Sequence, residues 1–163
     1  MLSDEDFNTY CKEFDGICFI AFLPHIYDTT AEERNKKLTI LETIQSKHKS
    51  TPICFLWSEG GAQYDFEQTF GLSFGYPALM AMSTTKNKYS VMRSGFTEKN
   101  VGGFVIGLMT GKEPLKNIQK LPTGVKAVSA WDGKDRKPLM VDDWDDDWDE
   151  DENIEIESHE SDL

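Results

Sequence analysis

Three features of the sequence predict a small α/β domain built on a mixed sheet with helices on both faces. Two short apolar runs, residues 17–23 and 53–57, are unbroken by charge, the pattern of strands buried on both sides. A capped amphipathic segment joins them, so the two strands are expected to run parallel through a right-handed crossover. Two further strand-like segments, Ala78 to Met82 and Tyr89 to Met92, flank a polar turn at Thr84 to Asn87 and read as an antiparallel hairpin. The expected sheet therefore has four strands.

The elements follow in order. Ser3 with Asp6 three positions on is a helix start, and Phe7, Tyr10 and Phe14 fall on one helical face behind it. Gly16 stops that helix, and Pro24 ends the first strand. Thr30 and Glu33 form a capping box. Leu38, Leu41 and Ile44, with Ile40 beside them, make an apolar stripe whose opposite face carries Lys and Arg, until Pro52 terminates the helix. Ala62 to Phe70 reads as a short helix with Phe66 and Phe70 inward, stopped by Gly71. Pro77 opens the third strand. Thr97 starts a last helix with Val101, Phe104, Val105, Leu108 and Met109 inward, and Gly102, Gly103 and Gly107 make it depend on packing. Periodicity ends near Gly111. The domain is thus expected over residues 1–111, an extended linker over 112–141 and a disordered acidic tail over 142–163.

The 163 residues carry a formal charge of −12, unevenly placed. Residues 142–163 hold 13 of the 29 acidic residues and no Lys or Arg, which leaves 16 acidic against 17 basic residues in the rest. Such a tail repels nucleic acid and anionic lipid, so both are poor partners. No apolar run approaches the ~20 residues of a membrane span, so membrane insertion is not expected. No basic segment of a secretory signal opens the sequence, where Ser3-Asp4-Glu5-Asp6 stands instead.

The three cysteines, Cys11, Cys18 and Cys54, make no Cys-x-x-Cys, so the common zinc and dithiol redox spacings are missing. The Cys11/Cys18 spacing leaves two readings open: unrelated thiols, or a structural disulfide that would belong to an oxidising compartment. Gly71-Leu72-Ser73-Phe74-Gly75 matches the Gly-x-Ser-x-Gly nucleophile elbow in letters only. That elbow follows a strand and precedes a helix, and here the order is reversed. His25, His48 and His159 are the only histidines. His25 follows a strand end, where many α/β folds place function, but no second base or ligand is near it in sequence. In the tail, an EF-hand frame starting at Asp143 puts Trp148 where glycine is required and Ile154 where the final Glu belongs. No ordered calcium site is expected. No cofactor is expected either, beyond weak, diffuse calcium binding in roughly the millimolar range by Asp142, Asp143, Asp145, Asp146, Asp147, Asp149, Glu150, Asp151 and Glu152.

The order strand, helix, strand, proline, hairpin, helix resembles a thioredoxin-like fold. Tyr76-Pro77 stands where that fold usually has a cis proline, and Pro24-His25-Ile26-Tyr27 stands where its redox-active members have Cys-x-x-Cys. Leu23-Pro24-His25-Ile26, Gly61-Ala62-Gln63, Phe74-Gly75-Tyr76-Pro77-Ala78 and Trp131-Asp132-Gly133, with the Cys11/Cys18 spacing and the acidic tail, are similar to the C-terminal, non-catalytic domain of the protein disulfide-isomerase A6 family. The resemblance implies a Cys11–Cys18 disulfide and a cis Pro77. It also implies the lumen of the endoplasmic reticulum and catalytic thioredoxin domains upstream. The family's Lys-Asp-Glu-Leu retrieval signal is here Glu160-Ser161-Asp162-Leu163.

The function implied is non-covalent: binding unfolded or partly folded client polypeptides in support of disulfide formation and isomerisation, alongside other endoplasmic-reticulum chaperones. No catalytic residue is expected in this chain. The loops around Pro77 are the expected client surface, with Pro24, His25, Ile26, Tyr27, Phe74 and Tyr76. The alternative is a stand-alone luminal chaperone or low-affinity calcium-binding protein.

Overall fold

The computed structural model describes residues 3–72, 74–121 and 124–136. Ser73 and the acidic residues assigned to calcium lie outside this range. The chain opens with a one-turn helix, α1 (Asp4–Phe7), which runs on as a π-helical turn over Asn8–Lys12. The strands and helices then alternate as β1 (Ile17–Leu23), α2 (Ala31–Lys47), β2 (Ile53–Glu59), α3 (Tyr64–Thr69), β3 (Ala78–Ser83), β4 (Lys88–Val91), α4 (Glu98–Met109) and β5 (Lys116–Asn117).

The caps are those expected. The Ser3 hydroxyl accepts from the Asp6 N–H, Thr30 from Glu33 at 3.1 Å and Thr97 from Asn100 at 3.1 Å, each satisfying an amide that the first helical turn leaves open.

The sheet order is β2-β1-β3-β4-β5. β1 and β2 run parallel, Ile17 opposite Ile53, and every other pairing is antiparallel. Because side chains alternate along a strand, β1 feeds two cores at once. Cys18, Ile20 and Phe22 face Phe7, Phe66, Phe70, Met80 and Met82 under α1 and α3. Phe19, Ala21 and Leu23 face Leu41, Ile44, Val101, Phe104 and Val105 of α2 and α4. The result is three layers, helix on sheet on helix, as the thioredoxin-like expectation requires.

Four expectations are corrected. The sheet has five strands rather than four, because Lys116–Asn117 pairs with Lys88 and Tyr89. These two polar, exposed residues carry no strand signal in sequence. Within the segment expected as an extended linker, residues 112–121 and 124–136 lie on the domain. Ile118 and Val125 are buried in the first core, the Val125 N–H donates to Asp4, and Gln63 exchanges two 2.9 Å hydrogen bonds with the Lys126 backbone. Tyr10 is 45% exposed rather than inward. The π turn, closed by Glu13 N–H to Asn8 O at 2.7 Å, widens the helix there and brings Cys11 inward beside Phe7. Met109 is likewise exposed at the end of α4.

Candidate functional site

The carboxyl ends of β1 and β2 meet through the Gly60 N–H, which donates to Leu23 O at 2.6 Å. At that junction the chain turns into Pro24-His25-Ile26-Tyr27 on one side and Gly60-Gly61 on the other. The Tyr76–Pro77 peptide is cis, and the Tyr76 ring lies over Gly60 so closely that a Cβ there would meet ring carbons at 2.7 Å. Only glycine allows this approach. The fold therefore brings the loops after two strands together with the loop before a third.

Glu67 on α3 holds this junction from beneath. It is 2% exposed, accepts the Tyr76 hydroxyl, and accepts the Gly61 N–H at 3.1 Å on both carboxylate oxygens. A buried carboxylate is stable only when hydrogen-bonded in this way. Burial of its hydroxyl end, with the bond to Glu67 and the Glu67 charge behind it, pushes the Tyr76 phenol up to about 12. In the unfolded chain that phenol ionises near 10. The stability carried by its neutral form is therefore full below pH 10 and is lost as the pH rises from 10 towards 12. Alkaline titration of tyrosinate absorbance should show a late-ionising step, and Tyr76→Phe should delete it. A titration unchanged by the substitution would mean that Glu67 does not hold the phenol.

A second polar cluster sits beside the first. Glu59, the last residue of β2, accepts from His25 Nε2 at 3.0 Å and from Arg34 Nη2 at 3.0 Å. His25 also accepts the Tyr27 N–H on Nδ1 at 3.2 Å and packs against the Tyr27 ring. Arg34 is 1% exposed. Its Nη2 also donates to Pro24 O, and its guanidinium carbon lies 5.2 and 4.9 Å from the ring centroids of Trp57 and Trp131, which meet each other edge to face at 6.3 Å. Sequence reading left Arg34 on the polar face of α2, and nothing local in sequence marks it otherwise. It is buried because Trp131, 97 residues further on, closes over it.

Of the residues expected at a client surface, Tyr27, Phe74 and Tyr76 are exposed aromatics, 52, 54 and 41% accessible. Pro24 and His25 are half-buried beside them. Ile26 is a correction: it is 2% exposed on a 3-10 turn that carries it into the fold, out of a client's reach. Tyr64, which begins α3 and is 60% exposed next to Gln63, was missed. Its only signal was a large aromatic at a helix start behind two glycines.

Cys11 and Cys18 are joined as a disulfide, Cα atoms 5.2 Å apart, that ties the π turn to β1. The one free thiol is Cys54 on β2, and burial pushes it above its ordinary range. A reactive thiol needs the opposite shift, and dithiol exchange needs a second cysteine. Among the described residues no group of three or more His, Cys, Asp or Glu is placed to hold a metal, and no helix is long and apolar enough to cross a membrane.

Comparison with known proteins agrees with this geometry. Residues 1–113 match the family described as PDIA6-like, C-terminal thioredoxin-like domain. The chain is 36% identical to protein disulfide-isomerase A6 of Mus musculus over 83% of its own length and 31% of that protein. It is 36% identical to protein disulfide isomerase-like 2-3 of Oryza sativa subsp. japonica over 79% of its length and 29% of that protein. It is also 36% identical to the protein disulfide-isomerase A6 homolog of Caenorhabditis elegans over 83% and 31%. The chain thus spans less than a third of each of these relatives. With the three-layer fold, the cis Tyr76–Pro77 bond and the matched 113 residues in agreement, the chain belongs to the PDIA6-like family as its C-terminal thioredoxin-like domain.

Proposed function

We propose that this domain holds unfolded or partly folded polypeptides, non-covalently, for disulfide exchange carried out by other thiols. The observation that carries the reading is the group of exposed aromatics Tyr27, Phe74 and Tyr76 on the loops around Pro77, with Tyr64 also exposed at the start of α3. Exposed apolar side chains gathered into one patch mark binding sites, whereas single ones do not. The buried Cys54, its pKa raised by burial, lends support to holding over exchange. A luminal, oxidising setting fits the Cys11–Cys18 disulfide.

The test replaces side chains that contribute little to folding. Tyr27→Ser with Phe74→Ser removes two rings that are each more than half exposed, so thermal stability should stay within roughly 0.5 kcal/mol. Affinity for a reduced, denatured polypeptide, measured by fluorescence anisotropy, should fall about tenfold if each ring contributes about 0.5–1.5 kcal/mol. Unchanged affinity would place the client surface elsewhere.

A further inference from the structure

The aromatic loops leave one feature unexplained. β2 and the segment Val128–Trp131 line the two sides of a cleft of about 630 Å³. Arg34 lies in its wall, 1% exposed, and its Nε and Nη1 have no hydrogen-bond partner among the described residues. A guanidinium has five N–H donors in one plane. Nη2 serves Pro24 O and Glu59, so three donors remain unmet. The rings of Trp57 and Trp131, set edge to face with each other, both lie near the guanidinium carbon, and neither supplies a nitrogen or oxygen acceptor. Buried donors left open are rare and costly.

The charges around the cleft indicate what could meet them. Arg34 and Arg136 line it, against Asp6 and Glu59, and Glu59 is already shared between Arg34 and His25. A planar carboxylate matches a guanidinium edge better than a carbonyl does, because charge-assisted bonds are about twice as strong as neutral ones. We propose that the cleft is a carboxylate-binding site built on Arg34: with a shift of the Trp131 side chain, a carboxylate accepts from Nε or Nη1, the two nitrogens that are otherwise closed off from solvent. The site does not depend on the client surface around Pro77. The carboxylate can come from an acidic side chain or terminus of a separate polypeptide. It can also come from this chain's own residues 142–163, of which 13 are acidic.

Nitrogen-15 NMR of the full chain tests this without a destabilising variant. The chain has three arginines, Arg34, Arg93 and Arg136. The exposed Arg93 and Arg136 can each be replaced by Lys to assign the Nε–H signals. N-acetylglutamate α-amide is titrated in, with N-acetylglutamine α-amide as the neutral control. A saturable downfield shift of the Arg34 Nε–H signal with the acid, at least about tenfold weaker with the amide, supports a site for a separate carboxylate. A signal already downfield in the full chain, returning upfield on deletion of residues 142–163 and moving down again with the acid, supports occupation by the chain's own tail. A signal that is the same in both chains and unmoved by either probe overturns the proposal.

Discussion

Replacing Cys11 and Cys18 together by Ala should lower the unfolding free energy by at least roughly 2.5 kcal/mol. Cross-linking an eight-residue loop removes about that much from the unfolded state through lost chain entropy. The two sulfurs are also packed, at 1 and 0% exposure, against Phe7 and Ile20, so their removal costs core contacts as well. The bond ties the π turn to β1, an inner strand of the sheet, which no other covalent link does among the described residues. Urea unfolding of the wild type with and without a reductant isolates the entropic part. At an m-value of about 1–3 kcal/mol/M, reduction should move the midpoint by roughly 0.8–2.5 M. A midpoint unmoved by reduction would mean that the unfolded chain is already held compact around these residues.

Arg34→Ala should cost about 3 kcal/mol or more. Removing one partner of a buried ion pair costs about 3–5 kcal/mol because the other partner is left uncompensated. Here Glu59 keeps some contact with solvent, its side chain 28% exposed, which argues for the lower end. Three further losses add to it: the Pro24 carbonyl loses its donor, the Trp57 and Trp131 rings lose the cation beside them, and a cavity opens. Arg34→Lys should recover less than half of the loss, since an ammonium is a point charge with no plane to stack. Equal stability of the Lys and wild-type proteins by urea unfolding would show that charge alone, and not the stacked plane, is what the site needs.

The fold was largely legible because its main signals are local. The unbroken run from Ile17 to Leu23 reports burial on two faces, and the strand indeed feeds both cores. Ser3, Thr30 and Thr97 report helix starts through bonds three residues long. What was missed is held by distant contacts. Arg34 looks like its solvated neighbours Lys36 and Lys37 until Trp131 is folded over it. Lys116 and Asn117 pair with β4 without any apolar alternation, because an edge strand this short needs only backbone bonds. Ile26 follows Pro24 in a loop, and its own apolar side chain turns it inward. The aromatics around Pro77 were found through the resemblance, which supplied the topology that brings them together. Tyr64 lay outside the motifs it rested on.

The segment beyond residue 113 has a consequence for how the domain behaves when cut. β2 is the outer strand of the sheet, bonded only to β1. Its open side faces Val128–Trp131 across the cleft. Outer strands with exposed aromatic side chains are templates for pairing with another chain. A chain ended at the boundary of the family match would keep every helix and four strands, yet it would uncover Trp57, the rim of β2 and the core around Ile118 and Val125. Such a fragment is expected to self-associate through that rim, and size-exclusion chromatography of residues 1–113 beside the full chain should show larger species for the fragment; equal monomeric elution would refute it. Residues 124–136 thus act as a selvedge, the finished border that keeps a woven sheet from catching on its neighbour.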